Sequence, residues 1–322
     1  MTEPLFLFSL PRAGSTLTQR LLAAHPAISS AAEPWILLPF FGAVSGESYA
    51  DYDAGTARRA VSEFCRALPG GEALYRAEVA RLAARLYDAM SKEGATYFLD
   101  KTPRYSLISE DILAAFPEAR ALLLWRNPLA VAASMIRSFS AGRWNLHHYR
   151  IDLYEGLDRL CRVCSRYPER FHVLQYEDLI EDCGGVLGSV FDHLGLENDP
   201  GVADRFDKVR FHGSMGDKTG SQSFSEVTSV ARETWPKVFA NPLRRRWAHG
   251  YLDWLGDERL ALMGYSQAEL RSALEASPVT LAGIGQDAAR MTYGAMDLRL
   301  ALTVWRARRA ERRLGVPAFP LS

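Results

Sequence analysis

The chain has no excess of charge of either sign and no long apolar run. Its 38 lysines and arginines balance 38 aspartates and glutamates, so it lacks the basic surface that a nucleic-acid partner requires. No apolar stretch reaches the length that spans a bilayer, and the N-terminus lacks the basic and apolar segments of a secretory signal. We therefore expect a cytoplasmic protein in which any anion-binding site is local.

Cysteine is also scarce, with four residues in 322. That number is too small for a disulfide framework and is typical of a reduced, intracellular protein. Cys161 and Cys164 form a C-x-x-C pair, but no second pair and no histidine cluster lies near them in the sequence, which favours buried thiols over a redox or zinc site. Because no H-E-x-x-H motif or Asp-rich cluster occurs either, no metal site is expected.

The sequence does contain the alternation of strands and helices that is typical of a parallel sheet. Four short apolar runs each end in a polar cluster, and helical patterns separate them; the runs are residues 4–10, 96–99, 121–125 and 171–175. This alternation predicts an α/β fold with a central parallel sheet, whose ligands lie beyond the carboxyl ends of the strands. We therefore expect the polar clusters to form the functional site.

Other patterns occupy the rest of the chain. Residues 36–94 are predicted to form a helical insertion. Residues 211–230 are rich in Gly, Ser and Thr and are predicted to form a long loop. The predicted organisation is an α/β domain at 1–265 and a helical C-terminal extension at 266–322. The basic final helix, residues 299–313, is typical of a solvated helix face, with contact to an anionic membrane surface as the alternative.

A basic, hydroxyl-bearing turn follows the first strand. It consists of Arg12, Ala13, Gly14, Ser15 and Thr16, where an apolar strand ends and a helix begins. Backbone N–H groups at a helix N-terminus have no intrahelical partner and the helix dipole is positive there, so the turn is suited to binding phosphate. The turn differs from a Walker A loop, because the upstream glycine and the lysine before Ser15 are missing.

A second anion-binding element follows the third of these strands. Arg126 ends the strand, and Ser134 follows eight residues later on a helix. Arg126 can hold a phosphate dianion through two parallel charge-assisted hydrogen bonds, to which the Ser134 hydroxyl adds another. The alternative is that Arg126 pairs with a carboxylate at the edge of the core and that Ser134 lies on the helix surface.

These two elements together, in this order and at strand ends, resemble the sulfotransferases that use 3′-phosphoadenosine 5′-phosphosulfate (PAPS). The resemblance implies a three-layer, P-loop-like α/β fold. It also implies that residues 12–16 bind the 5′-phosphosulfate and that Arg126 and Ser134 bind the 3′-phosphate. The further nucleotide contacts implied by the resemblance, at a Tyr-Glu-Asp-Leu motif and in a late loop, are Tyr176, Lys218, Gly220 and Ser221.

The same resemblance implies catalytic roles. Arg12 stands where many cytosolic sulfotransferases have lysine, and in this it is similar to tyrosylprotein and polyketide-tailoring members; it would stay protonated and act as an electrostatic clamp. Glu33 lies at a position similar to that of the acidic general base in those members. The alternative bases are His147, His148 and His212.

Lys101 is a candidate second cation in catalysis. It lies at the end of the second of these strands, in the sequence Asp-Lys-Thr-Pro. The alternative is a solvent-exposed lysine before a Thr-Pro turn.

The acceptor is expected to be a small molecule, lipid, polyketide or glycan that carries a hydroxyl. The insertion at 36–94 and the aromatic-rich loop at 139–149 are the segments expected to form its pocket. The candidate lining residues are Trp35, Phe40, Phe41, Trp144, His147, His148 and Tyr149. The alternative for the aromatic residues is a place in the core.

Two other functions fit a strand–turn–helix phosphate site. A P-loop-like small-molecule kinase would need a Walker lysine and an acidic strand end that binds Mg²⁺, whereas this chain has Arg12 and Arg126 at those places. A non-catalytic nucleotide-binding protein would keep the same residues, and only activity separates it from an enzyme.

Overall fold

A computed structural model describes residues 2–45, 54–211 and 234–300. Its centre is a five-stranded sheet with the order β2-β3-β1-β4-β5, in which all neighbouring strands are parallel. The strands are β1 Glu3–Ser9, β2 Ile28–Ser30, β3 Tyr97–Asp100, β4 Arg120–Trp125 and β5 Phe171–Gln175. The predicted α/β fold with a central parallel sheet is confirmed.

The helices connect these strands and follow them along the chain. They are α1 Ser15–Ala23, α2 Leu37–Ser45, α3 Ala54–Ala67, α4 Gly71–Met90, α5 Ser109–Ala115, α6 Pro128–Ser140, α7 Leu157–Arg166, α8 Tyr176–Glu181, α9 Cys183–Leu194, α10 Val202–Arg205, α11 Trp235–Val238, α12 Pro242–Leu262, α13 Gln267–Ala276 and α14 Ile284–Leu300. Shorter 3-10 turns include Pro103–Ile108 and Leu146–Tyr149.

The central strands are apolar on both faces. In β1, Leu5 and Leu7 pack into one core cluster with residues of α1, α8 and α9. Phe6 and Phe8 pack into another cluster with residues of α4, α5, α6 and α7. Because both faces are covered, the strands read as near-continuous apolar runs, and the sheet forms the middle of three layers.

The described part of the insertion predicted at 36–94 is helical, since it contains α2, α3 and α4. The sequence pattern does not indicate β2, because three residues are too few to show a period. This strand forms at the sheet edge, where Ile28 and Ser30 pair with Tyr97 and Leu99 of β3.

The described part of the C-terminal extension packs on the sheet-bearing part. Leu270 of α13 belongs to the core cluster of Phe6. Asp287 of α14 is buried and accepts hydrogen bonds from Arg244 of α12 at 2.6 and 2.9 Å. The division of the chain at residue 265 stays a prediction.

Two predicted segments lie almost entirely outside the described residues: the loop at 211–230 and the basic helix at 299–313. Among the helices that are described, none combines the length and apolar character needed to cross a membrane.

Candidate active site

The carboxyl ends of the strands bring the predicted residues together. The order β3-β1-β4-β5 places four strand ends side by side. The turn at 12–16 follows β1, Lys101 follows β3, Arg126 follows β4 and Tyr176 follows β5. Residues that are far apart in sequence thus lie along one edge of the sheet, as parallel topology predicts.

The turn after β1 depends on Gly14, which has a φ of 96°. A β-carbon at this position would lie 2.2 Å from Cδ2 of Tyr176, so the backbone conformation and the close contact both require glycine. The Gly14 carbonyl accepts the Thr18 N–H at 3.1 Å and so begins α1. The N–H groups of the first turn of α1 are therefore left for a bound anion.

Arg12, just before this glycine, reaches the helix that follows β4. Its Nε donates to Ser134 Oγ at 3.3 Å, its Nη2 donates to Ser138 Oγ at 2.8 Å, and its Cζ lies 5.5 Å from the ring centre of Phe139. Ser138 was not predicted, although it lies one turn beyond Ser134 on the same face of α6. Phe139 begins the segment at 139–149 that is expected to form the acceptor pocket. The residues predicted for two different phosphates are in direct contact.

Arg126 is a buried cation whose hydrogen-bonding capacity is only partly used. It is 7% exposed, its Nη1 donates to the Arg12 carbonyl at 2.9 Å, and its Cζ lies 4.2 Å from the ring centre of Tyr176. Within the described residues its buried Nε has no hydrogen-bond partner, and it forms no ion pair with a carboxylate there, which was the alternative. Burial lowers the pKa of this guanidinium, yet arginine stays charged, so an incoming phosphate would supply the missing acceptor.

Ser134 lies on α6, whose N-terminus is well capped. Asn127 Oδ1 accepts the N–H groups of Leu129 and Ala130 at 3.0 and 3.2 Å, and Pro128 occupies the first helical position. Ser134 is 9% exposed, so the alternative of a helix-surface residue is wrong.

Lys101 is buried and forms an ion pair with Glu33 beside the turn at 12–16, called the phosphate turn after its predicted role. Lys101 Nζ lies 2.7 Å from Glu33 Oε1 and donates to Thr16 Oγ1 at 3.5 Å. The Trp35 indole N–H donates to Glu33 Oε2 at 3.2 Å. Lys101 is 1% exposed, so the solvent-exposed alternative is wrong. A candidate general base, a cation and the phosphate turn thus share one small volume.

A buried carboxylate, Asp100, lies next to this pair. Asp100 Oδ2 accepts from the hydroxyls of Tyr87 and Tyr105 at 2.6 and 3.1 Å, and Oδ1 accepts from Thr102 at 3.1 Å. Thr102 Oγ1 accepts the backbone N–H of Trp35 at 3.4 Å. Burial raises the pKa of Asp100 to about 6, because the hydroxyl donors offset only part of the desolvation. This network was not predicted, since Tyr87 reaches β3 only through the packing of α4.

The predicted acceptor residues fall into two groups. Trp144 is 3% exposed and meets Trp247 edge to face, with 5.2 Å between ring centres, so it lies in the core, which was the alternative. Phe41 also lies in the core, whereas Phe40 is exposed and Trp35 is half-buried. Their contact with an acceptor stays a prediction.

An aromatic surface, formed by Phe139 and Tyr149, borders the site. The two rings stack with 4.8 Å between centres, and Phe139 is 46% exposed. Because Phe139 also contacts the Arg12 guanidinium, this aromatic surface is continuous with the phosphate turn.

The remaining predicted residues stay untested. His147 and His148 pack against each other, with 4.0 Å between ring centres. His212, Lys218, Gly220 and Ser221 lie outside the described residues. Across residues 2–45, 54–211 and 234–300, no three His, Cys, Asp or Glu side chains are grouped so that they could hold a metal ion.

Most of the chain matches a known protein family. Residues 4–200 match the family described as "Sulfotransferase family". The nodulation protein NoeE of Sinorhizobium fredii is 35% identical over 134 residues, which are 40% of this chain and 30% of that protein. The omega-hydroxy-beta-dihydromenaquinone-9 sulfotransferase of Mycobacterium bovis is 32% identical over 111 residues, which are 30% of this chain and 28% of that protein. The chain therefore spans less than a third of each of these curated relatives.

A solved structure shares the fold. The sulfotransferase domain from the curacin biosynthetic pathway superposes with a TM-score of 0.53 at 19% identity, covering 83% of this chain and 99% of that domain. The predicted three-layer, P-loop-like fold is thereby confirmed.

Proposed function

The chain belongs to the sulfotransferase family, and we propose that it transfers a sulfuryl group from PAPS to a hydroxyl of an acceptor. The observation that carries this proposal is the buried Arg126 guanidinium, with an Nε that lacks a partner among the described residues, beside the phosphate turn of β1. A nucleotide with a phosphate on the ribose and another at the 5′ end needs two such anion sites.

Arg126 and Ser134 would hold the 3′-phosphate. The Arg126 Nε is the orphaned donor that a phosphate oxygen would satisfy. The Ser134 hydroxyl, which accepts from Arg12 in this structure, would donate to the same phosphate. Charge-assisted hydrogen bonds of this kind are among the strongest in proteins.

The turn at 12–16 would hold the 5′-phosphosulfate. The free N–H groups at the start of α1 and the hydroxyls of Ser15 and Thr16 supply donors. Arg12 would lie against the oxygen that bridges phosphorus and sulfur and stabilise the charge that develops there. Because arginine does not release its proton, it acts as a fixed charge and not as an acid.

Glu33 would act as the general base. As the acceptor oxygen bonds to sulfur, the bond between sulfur and the bridging oxygen breaks, the leaving phosphate keeps the electron pair, and Glu33 takes the acceptor proton. The Lys101 ammonium lies 2.7 Å from Glu33 Oε1 and is also near Thr16 on the phosphate turn. From one position, Lys101 can therefore interact with both the general base Glu33 and the transferred sulfuryl group.

The acceptor would carry a ring or an extended apolar part. The aromatic surface of Phe139 and Tyr149 is continuous with Arg12, so an apolar group bound there would present its hydroxyl near the phosphate turn. The name of the mycobacterial relative describes a menaquinone derivative with a hydroxyl as its substrate, which is an acceptor of this chemical type.

The kinase alternative finds little support at the strand ends. The one carboxylate at the end of β3, Asp100, is fully buried and accepts hydrogen bonds from three hydroxyls. A Mg²⁺ site needs carboxylate oxygens that are open to the ion and its waters.

Calorimetric binding of 3′-phosphoadenosine 5′-phosphate (PAP), compared with ADP and with ATP and Mg²⁺, tests the proposal without knowledge of the acceptor. We expect tight binding of PAP and weak binding of ADP. Arg126→Ala should weaken PAP binding by about 2–4 kcal/mol, because charge-assisted hydrogen bonds to the 3′-phosphate are lost. Preference for ATP with Mg²⁺ would favour the kinase instead.

A further inference from the structure

Glu177, in the first turn of α8, links the loop after β4 to the C-terminal half of the chain. Its Oε1 accepts the Asn127 N–H at 3.2 Å, and its Oε2 accepts the Tyr265 hydroxyl at 2.6 Å. One carboxylate therefore joins two segments that are more than a hundred residues apart. Neither Asn127 nor Tyr265 has been assigned a catalytic or nucleotide-binding role.

The Asn127 end of this link bears on the 3′-phosphate elements. Asn127 directly follows Arg126, and its side chain caps α6, the helix that carries Ser134. A hydrogen bond to the Asn127 N–H therefore fixes the point at which the chain leaves β4 and the point at which α6 begins. Glu177 also attracts the Arg126 guanidinium electrostatically.

The Tyr265 end is held because the turn between α12 and α13 packs on the end of β5. Gly264 has a φ of 84°, and a β-carbon there would lie 1.8 Å from Gln175 Nε2. Gln175 also donates to the Met263 carbonyl at 3.4 Å. Burial, together with the Glu177 charge, raises the pKa of the Tyr265 hydroxyl, so this group stays a donor to the carboxylate.

We propose that Glu177 and Tyr265 are positioning residues for the 3′-phosphate site, and that the turn at 263–265 controls how strongly the protein prefers nucleotides with a 3′-phosphate. Tyr265 holds the Glu177 carboxylate, and the carboxylate holds the backbone between Arg126 and α6. This inference rests on the proposed function, since it assigns the 3′-phosphate to Arg126 and Ser134.

The test compares calorimetric affinities for PAP and for adenosine 5′-phosphate, which lacks the 3′-phosphate. Tyr265→Phe and Glu177→Gln should each weaken PAP binding about tenfold, as loss of a hydrogen bond to a charged group does, and should change binding of the monophosphate much less. The double variant Tyr265→Phe with Glu177→Gln should lose no more PAP affinity than the weaker-binding single variant, because both residues act through the same contact.

Tyr251→Phe is a matched control. It removes a buried tyrosine hydroxyl, which donates to the Leu153 carbonyl at 2.8 Å, from a part of the core that does not touch this link. The ratio of PAP affinity to adenosine 5′-phosphate affinity in Tyr251→Phe should equal that of the wild type, even if the melting temperature of the variant falls. Should Tyr265→Phe fail to fold, Glu177→Gln decides the question, since amide and carboxylate have nearly the same shape.

The possible results distinguish failure of the positioning role from failure of the proposed function. The positioning role is overturned if both variants keep the wild-type ratio of the two affinities, which includes the case in which both nucleotides lose affinity equally. Equal binding of the two nucleotides by the wild type would overturn the proposed function itself.

Discussion

At the scale of single residues, the candidate site holds three cations, Arg12, Arg126 and Lys101. Lys101 pairs with Glu33, and Arg126 donates to the Arg12 carbonyl. The charge of Arg12 is close enough to contribute to the lowered pKa of Arg126, after the larger effect of burial. Buried cations are costly unless they are paired, so this arrangement is suited to a ligand with several negative charges.

Glu33→Gln should slow sulfuryl transfer about a hundredfold or more, because a positioned general base contributes at least that much. The measurement is the turnover of PAPS with 2-naphthol as a test acceptor, beside calorimetric binding of PAP. We expect turnover to fall far more than nucleotide affinity. Near-normal turnover would transfer the role of base to another residue, with His147 and His148 the described candidates.

A control for this variant is needed because Gln leaves the buried Lys101 ammonium without its carboxylate, which costs about 3–5 kcal/mol. The double variant Glu33→Gln with Lys101→Met removes the unpaired charge and should recover part of the lost stability in urea unfolding. Recovery of stability in the double variant identifies the unpaired ammonium as the cause of the stability loss. The role of the base is judged from the single variant alone, because Lys101 is itself a candidate catalytic cation.

Gly14→Ala should destabilise the phosphate turn. The left-handed backbone costs an alanine about 1–2 kcal/mol, and the new methyl would overlap the Tyr176 ring, 2.2 Å away. We expect weaker PAP binding and a lower free energy of unfolding, measured by calorimetry and urea unfolding. Gly94→Ala is the matched control, because Gly94 also has a positive φ of 78° but nothing lies within 4 Å of its β-carbon. If the two variants bind PAP equally well, contact with Tyr176 is not what the turn requires.

At the scale of secondary-structure elements, the end of β3 is where the helical insertion joins the sheet. Tyr87 comes from α4, and the Tyr105 hydroxyl accepts the Leu37 N–H at the start of α2 at 3.2 Å. Both hydroxyls donate to Asp100. The carboxylate next to Lys101 therefore ties two helices of the insertion to the strand that carries the candidate cation.

This junction predicts a pH dependence of stability. Burial raises the pKa of Asp100 to about 6 from an ordinary value of 3.8, so between these values the folded protein binds a proton that the unfolded chain does not. The contribution of Asp100 to stability therefore falls as the pH rises from about 4 to 6, by about 3 kcal/mol in all. Above the folded pKa it stays constant.

Asp100→Asn removes this titration and keeps the side-chain shape. The free energy of unfolding of the variant, relative to the wild type, should improve by about 3 kcal/mol between pH 4 and pH 7. Urea unfolding at a series of pH values measures the difference, in which the other titrating groups cancel. A difference that does not vary with pH would show that Asp100 is ionised throughout this range.

At the scale of the whole molecule, the C-terminal extension is joined to the rest by a buried charge cluster. Arg244 of α12 donates to both oxygens of Asp287 on α14 and also to the Gly142 carbonyl, at 2.9 Å, after α6. Asn241 Nδ2 donates to the same carboxylate at 2.6 Å. Three distant segments therefore meet at Arg244.

Asp287→Asn should lower the free energy of unfolding by about 3–5 kcal/mol, because it leaves the largely buried Arg244 without its carboxylate. PAP affinity should not change, since the cluster does not touch the phosphate sites. Urea unfolding and calorimetry measure the two quantities. The double variant Asp287→Leu with Arg244→Met, in which no charge is left unpaired, should be more stable than Asp287→Asn. A stability equal to that of the wild type would mean that α14 is held by its apolar contacts alone.

Much of this site was predictable because its elements are local in sequence. The turn at 12–16 and the pair Arg126 and Ser134 are short motifs at strand ends, and parallel strands necessarily bring their carboxyl ends to one edge. Ser138, Asp100 and Tyr265 were not predicted, because their contacts depend on how separate helices and turns pack. The roles of the predicted residues in binding and catalysis stay predictions.

The sequence by itself determined the α/β class, the parallel sheet and the turn that opens α1, because apolar runs, helical periods and helix N-terminal chemistry are set by neighbouring residues. Only the tertiary structure decided that Lys101 is buried against Glu33, that Trp144 lies in the core, and that Arg126 keeps an unpartnered donor among the described residues. These outcomes follow from burial and from contacts between distant segments, and no local pattern encodes which side chain packing will exclude from water.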